Sequence, residues 1–250
     1  MTQKDSGWWT DFFDPFRPAF DLISRKVTNA HVNYFIKKLN LKPGSKFLDC
    51  PCGIGRISIP LAKKGIKVSG ADITKPYLEE LAVKSKKAKL KIELKHCDMR
   101  RINYDSKFDA GGNLWTSFGY FEKESDNLLV IKKMYKALKP GGKFLLHVIN
   151  RDWIMVNYNP RGWQRINDMK IVEERSFDYS KSINTGIWYF IEDGNERACE
   201  TKIRMYSFHE LNAMFKKVGF INIEGYGSIK DEPIDRHKMM MFVFGTKPKR

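Results

Sequence analysis

The 250-residue sequence has no apolar run near the roughly 18 to 20 residues that a membrane-spanning helix needs. Its start, Met1-Thr2-Gln3-Lys4-Asp5-Ser6-Gly7-Trp8-Trp9, lacks the apolar core of a signal peptide, so a cytoplasmic protein with no membrane partner is expected. Cysteine is scarce. Cys50, Cys52, Cys97 and Cys199 form neither a paired CxxC framework nor the even spacing of a small secreted scaffold, and reduced thiols are expected. The pair Cys50 and Cys52 offers too few ligands for a zinc set, so no metal is expected. Internal repeats and low-complexity stretches are also missing, which excludes solenoid architectures and long linkers.

What is abundant is positive charge and apolar matter. A net charge of +16 could be a footprint for nucleic acid, because neutralising phosphates releases counterions. The lysines, however, are scattered over 37–38, 63–64, 84–95, 132–133, 216–217 and the C-terminal tail, mostly at positions that read as exposed helix faces. A solvated surface is the favoured meaning, and nucleic acid stays open as a partner. With 42% hydrophobic residues the chain can bury a full core.

Val32, Phe35, Ile36 and Leu39 recur at three and four, which predicts an amphipathic helix over 29–39, stopped by Pro43-Gly44. Strand and helix then alternate: strand 46–50, helix 57–64, strand 68–72, helix 76–85, strand 92–98, strand 108–114, helix 127–138, a Pro140-Gly141-Gly142 turn and strand 143–150. Such alternation predicts an α/β fold, a doubly wound parallel sheet whose strand C-termini share one edge where a ligand binds. Past Arg151 three β-type segments, 169–178, 183–192 and 197–206, predict an inserted antiparallel meander. Ser207, followed three positions later by Glu210, is a capping box for a helix over 207–218 ending at Gly219, and strands 220–226 and 239–246 complete the sheet.

The strongest chemical signal is Phe47-Leu48-Asp49-Cys50-Pro51-Cys52-Gly53-Ile54-Gly55-Arg56, an apolar strand running into a glycine turn and then a helix. Gly53 and Gly55 let backbone approach a ligand without Cβ obstruction. Ser58 replaces the third glycine of the dinucleotide fingerprint, which argues against a pyrophosphate ligand. Asp72 ends the next strand 23 positions after Asp49, where a carboxylate can accept both ribose hydroxyl protons, or simply cap the helix that follows. Asp98 and Met99 close the third strand, the one able to accept an adenine amino group and the other to pack on the ring. Phe108 to Leu114 and the turn at 138–143 follow in order.

With these elements in sequence, residues 32–150 resemble the class I S-adenosylmethionine-dependent methyltransferases, in the small-molecule group with the Asp-x-x-Cys-Gly-x-Gly turn. The resemblance implies a Rossmann-like seven-stranded sheet with its last strand antiparallel, S-adenosylmethionine as cofactor and S-adenosylhomocysteine as product. It implies cofactor contacts at Asp49, Gly53, Gly55, Asp72, Ile73, Asp98, Met99 and Asn113. Pro51 in the first turn and His147 in place of a common acidic residue depart from the pattern. The aromatic start around Trp9 is expected to close over the cofactor as a lid, where rings beside a sulfonium gain cation–π stabilisation, or else to pack on the sheet.

The expected organisation is a lid segment over 1–28, a cofactor-binding core over 29–150, an inserted acceptor-pocket region over 151–206 and a completing segment over 207–250. A small-molecule acceptor, methylated at N or O, is expected between Phe118, Tyr120 and Trp153 on one side and Trp188, Arg204 and Tyr206 on the other. Arg151 and Arg204 would suit an acidic acceptor group, or form surface ion pairs. His147, His209, His237 and Tyr120 are the candidates for proton handling, although a lone histidine is more often structural. An RNA or protein methyltransferase, and a non-catalytic cofactor-binding module, are the alternatives. No Asn-Pro-Pro-Tyr-type motif follows the fourth strand, where Asn113-Leu114-Trp115-Thr116 stands. Oligomeric state is not legible.

Overall fold

The computed structural model describes residues 7–249; Met1 to Ser6 of the expected lid segment, and Arg250, lie outside them. Two sheets share the chain. The larger is built from β1 (Lys46–Asp49), β2 (Lys67–Asp72), β3 (Glu93–His96), β4 (Phe108–Asn113), β5 (Leu138–Ile149), β10 (Ile221–Tyr226) and β11 (Met240–Thr246) in the order β10-β11-β5-β4-β1-β2-β3. The smaller joins β6 (Arg161–Ile166), β7 (Met169–Asp178), β8 (Ile183–Glu192) and β9 (Asn195–Arg204) as an antiparallel meander. In the larger sheet β1 pairs parallel with both β2 and β4, whereas β11 runs antiparallel to β5 and β10.

The parallel strands are covered on both faces, as βαβ crossovers require. Phe47 and Leu48, adjacent on β1, both have no exposure and face opposite layers. Phe47 packs with Val32, Phe35 and Leu39 of α2 (Arg25–Leu39) and Leu61 of α3 (Ser58–Lys63). Leu48 packs with Val130, Ile131 and Met134 of α5 (Glu124–Ala137), in a core shared with Leu211 and Phe215 of α7 (Phe208–Val218). A further covering helix, α4 (Lys75–Lys87), contributes Leu78 and Leu81. Because strand order reverses between β4 and β1, crossovers leave a crevice at the C-terminal ends of those two strands.

Local signals account for most of these elements. Ser207 accepts the Glu210 amide while Glu210 receives the Ser207 amide, closing the predicted capping box, and Gly219 at φ +107° ends α7. The α2 helix starts earlier than predicted, at Arg25, because Ser24 caps it by accepting from the Val27 amide at 3.2 Å; its first turn buries only Thr28, so periodicity does not reveal it. The predicted Pro140-Gly141-Gly142 turn is an irregularity within β5, whose pairing to β4 jumps from Phe108↔Leu138 to Ala110↔Lys143. Among the short elements that escape the sequence are α6 (Arg151–Asn157), seven residues capped by Asn150, and β6, an edge strand whose one aromatic, Trp163, points to solvent. At the N-terminus α1 (Trp9–Phe16) lays Phe12 against Ile166, Ile171 and Phe190 on the smaller sheet. That sheet is tied to the core where the Arg204 amide donates to the Gly119 carbonyl at 2.8 Å; a Cβ on Gly119 would sit 2.1 Å from the Arg204 carbonyl oxygen.

Candidate active site

A cavity of about 680 Å³ opens at the ends of β1, β2 and β4, with the smaller sheet as its far wall and α1 along one side. Its near wall begins with Asp49, 2% exposed, which accepts the Ser58 hydroxyl at 2.6 Å. Burial pushes the Asp49 carboxyl up to about 7, against the pull of that hydrogen bond. After the cis Cys50–Pro51 peptide the chain turns at Gly53, φ +51°, where an added Cβ would meet no atom within 4 Å. The second carboxylate, Asp72, holds this turn: its Oδ2 accepts the Gly53 amide at 2.7 Å and its Oδ1 the Thr74 amide at 2.8 Å. Burial raises the Asp72 carboxyl and those amides oppose the rise.

Asp98 caps the short 3-10 turn 99–101 and is gripped by Arg100, whose amide donates at 2.7 Å and whose Nε donates at 3.0 Å. Met99 and Ile73 complete this side of the cavity. Of the remaining residues expected at a cofactor, Trp9 lines the cavity and packs edge-on against Phe121, 5.3 Å between centroids. Asn113 does not line it; its Nδ2 lies 3.6 Å from the Met99 sulfur and its buried Oδ1 has no protein partner. Gly55 is also elsewhere. Its Cβ would come 2.1 Å from Leu81 Cδ1, so the second glycine of the turn makes room for α4 and not for a ligand.

Phe118, Tyr120, Trp153, Trp188, Arg204 and Tyr206 all line the cavity. Burial raises the Tyr120 hydroxyl, so it stays protonated, and the ring packs 4.7 Å from that of Trp8. The two arginines expected to suit an anion are occupied. Arg151 lies off the cavity and pairs with Glu210 at 3.1 Å and Asp152 at 3.0 Å; Arg204 reaches the same Glu210 and the Met205 carbonyl. Ion pairing, the plainer of the two sequence readings, describes both.

None of the three histidine candidates lines the cavity. His209 and His237 are exposed. His147 has no exposure and stacks on Phe242 with centroids 4.2 Å apart and planes 10° apart. Its Nδ1 faces the Trp115 amide at 3.4 Å and its carbonyl accepts the Thr116 amide at 2.9 Å. Burial drives its basicity well down, so it remains a neutral acceptor that braces the turn after β4, where Trp115 and Thr116 both have positive φ.

Several wall residues went unread in the sequence. Arg56 follows the glycine turn directly, lies 3.4 Å from the Trp115 ring centroid, and has a buried Nη1 with no protein partner; burial lowers it to about 10. Glu173, Arg175, Asn184 and Tyr158 stand on or beside the smaller sheet. Their signal was available in part, since Glu173 and Arg175 share alternation parity with the apolar Met169 and Ile171, but nothing local says which face the core meets.

The residues present suit the expected cofactor: an open glycine turn, a carboxylate at the end of each of the first two strands, and the Arg56 guanidinium, stacked on Trp115 with its buried Nη1 unbonded. Residues 47–142 match the family described as methyltransferase domain. The chain is 27% identical over 184 residues to a ubiquinone biosynthesis O-methyltransferase of Vibrio cholerae, covering 71% of this chain and 69% of that one. It is 24% identical over 223 residues to a glycine/sarcosine N-methyltransferase of Halorhodospira halochloris, covering 88% and 81%. The fold is similar to that of a solved S-adenosylmethionine-dependent methyltransferase of Clostridium acetobutylicum, with a TM-score of 0.79, 19% identity and coverage of 97% and 100%.

Proposed function

We propose, from the premise that this chain is a class I S-adenosylmethionine-dependent methyltransferase, that it methylates an N or O atom of a small molecule held between its two sheets. One observation carries the reading: the cavity that begins at the glycine turn is the same one that the smaller sheet lines, and aromatic rings recur along its wall from Trp9 to Trp188. When bound, the cofactor supplies an electrophilic methyl group on a sulfonium, which leaves as the neutral thioether of S-adenosylhomocysteine.

In this reading the 29–150 core holds the cofactor. Asp72 accepts the ribose hydroxyls through lone pairs left beside its two amide bonds, Asp98 and Met99 border the adenine with Ile73, and Gly53 allows close backbone approach. Asp49 and Arg56 stand at the amino-acid end, where an ammonium would draw Asp49 back toward its carboxylate form and a carboxylate would pair with the Arg56 cation. The 151–206 insertion supplies the acceptor wall. Phe118, Tyr120 and Trp153 exclude water and align the acceptor, which is the larger part of what a displacement reaction needs. The segment carrying α1 acts as a lid: Trp8, Trp9 and Phe13 line the cavity, and the Tyr77 hydroxyl donates to the Phe13 carbonyl to hold it down. In this reading none of the proton-handling candidates acts as a base, since Tyr120 keeps its proton and His147, His209 and His237 lie off the cavity.

The basic surface favours RNA or protein as a second reading, but none of the described lining residues is a lysine, and a polymer needs an open basic groove. Among the described residues no helix is long and apolar enough to cross a membrane. A cytoplasmic location belongs to the same reading, with Cys50, Cys52, Cys97 and Cys199 as free thiols. The deciding experiment follows isotope-labelled methyl transfer into a metabolite panel and into bulk RNA over a range of salt. Incorporation into a metabolite is expected. Incorporation into RNA, with affinity falling steeply with salt, would overturn the enclosed-acceptor reading.

A further inference from the structure

The inner face of the smaller sheet changes character along its length. Cross-strand register puts Ile171, Glu173 and Arg175 of β7 on one face with Asn184, Gly186 and Trp188 of β8 and Thr201 of β9. At one end that face is apolar, where Met169, Ile171, Phe190 and Cys199 pack with Phe12 of α1. At the other it faces the cavity and turns polar.

Glu173 is 7% exposed, at a position continuous with the apolar row. Its two oxygens accept from Arg175, Nε at 2.6 Å to Oε1 and Nη2 to Oε2, while Arg175 Nη1 donates to the Asn159 carbonyl at 3.0 Å. Gly162 on β6 lies opposite; a Cβ there would press on the Arg175 guanidinium at 3.2 Å. A buried ion pair adds little stability over an apolar pair of the same volume, so stability alone does not explain its place on a cavity wall. Two further wall residues hold unspent polar atoms: Asn184 Oδ1 and Tyr158 Oη are buried with no protein partner. Unmatched groups of this kind are costly unless a ligand completes them.

We infer that Glu173, Arg175, Asn184 and Tyr158 form the head-group subsite of the acceptor, and that it takes a hydrogen-bond-donating, non-anionic group, a hydroxyl or an amine. The inference rests on the enclosed small-molecule reading above. Charge excludes an anion here. Arg175 is committed to Glu173 and Asn159, and Arg204 to Glu210 and Met205, so among the described residues this end of the cavity has no arginine left for a carboxylate or phosphate. What remains on the wall is the acceptor capacity of the Glu173 oxygens' second lone pairs and the Asn184 carbonyl, beside the neutral Asn184 amide N–H groups and the Tyr158 hydroxyl, so the charge that presents open lone pairs to a ligand is negative. Such a set is matched by O–H and N–H donors.

The test uses the full chain saturated with S-adenosylhomocysteine and follows its Tm during titration with glucosamine, ethanolamine and acetate, an anion without O–H or N–H donors. Glucosamine or ethanolamine is expected to raise Tm and acetate to leave it unchanged. In Glu173→Gln and Asn184→Ala the response should weaken about tenfold in Kd, the scale of one lost hydrogen bond to a charged or buried group, with S-adenosylhomocysteine affinity unchanged. Should Glu173→Gln not fold, Asn184→Ala and Tyr158→Phe carry the same comparison. A response to acetate matching that to glucosamine, a response that the variants leave alone, or no response to any probe overturns this subsite. Methyl transfer to RNA in place of small molecules overturns instead the reading beneath it.

Discussion

Asp72 and Gly53 are joined by a 2.7 Å hydrogen bond from the glycine amide to Oδ2, so the carboxylate that ends β2 also shapes the turn that ends β1. Removing it has two consequences. Asp72→Ala is expected to weaken S-adenosylhomocysteine binding by about 1 to 3 kcal/mol, since ribose hydroxyls lose a charged acceptor and the turn loses its brace. Asp72→Asn keeps one amide-accepting oxygen and should fall between. Calorimetry on both folded variants decides it; an unchanged Kd in Asp72→Ala removes the residue from the cofactor site.

The two glycines of the turn should behave differently although both have positive φ. Gly53→Ala meets open space, so its fold should survive with about 1 to 2 kcal/mol of backbone strain while the new methyl group obstructs the cofactor. Gly55→Ala drives a Cβ to 2.1 Å from Leu81 and should lower Tm more than Gly53→Ala. Equal stability losses, or full cofactor affinity in Gly53→Ala, would contradict the division of labour.

Asp49 imposes a pH dependence of known sign. Its folded value of about 7 lies above the ordinary value of 3.8, so between those limits the folded chain keeps a proton that the unfolded chain releases. Its contribution is therefore complete at low pH and is lost as pH rises toward 7, with a slope that can approach about 1.4 kcal/mol per pH unit. Denaturant unfolding at pH 5 and pH 8 should show a smaller loss in Asp49→Asn than in the parent. Parallel losses in the two proteins would place the titration elsewhere.

His147 behaves in the opposite sense. Buried and neutral, it cannot take the proton that the unfolded imidazole binds near pH 6.5, so it lowers stability as pH falls through that region. In His147→Gln that dependence should disappear, and the loss of the ring stacked on Phe242 should cost about 1 to 3 kcal/mol at neutral pH. The pH profile of kcat should keep its shape in the variant. Loss of its acidic limb would make His147 a base after all.

Much of the larger sheet could be read directly, because its signals are local. Strand and helix alternate within a few residues of each other, Asp49 and Asp72 each close a strand, and Ser207 with Glu210 announces its own helix. That Asp49, Gly53, Asp72, Asp98 and Met99 line one cavity was legible for the same reason: each lies at the end of a strand or just past it, and a parallel sheet gathers strand ends on one edge. Tertiary structure alone decided the partners. Arg151 and Arg204 meet on Glu210 across 59 and 6 residues of chain, which turns two prospective anion receptors into one ion-paired cluster. Leu81 claims the space above Gly55, and Phe242 of β11 claims the face of His147. Nor could alternation say that Glu173 and Arg175 line a cavity: a period of two defines the faces of a strand, whereas which face is buried depends on where the whole sheet docks.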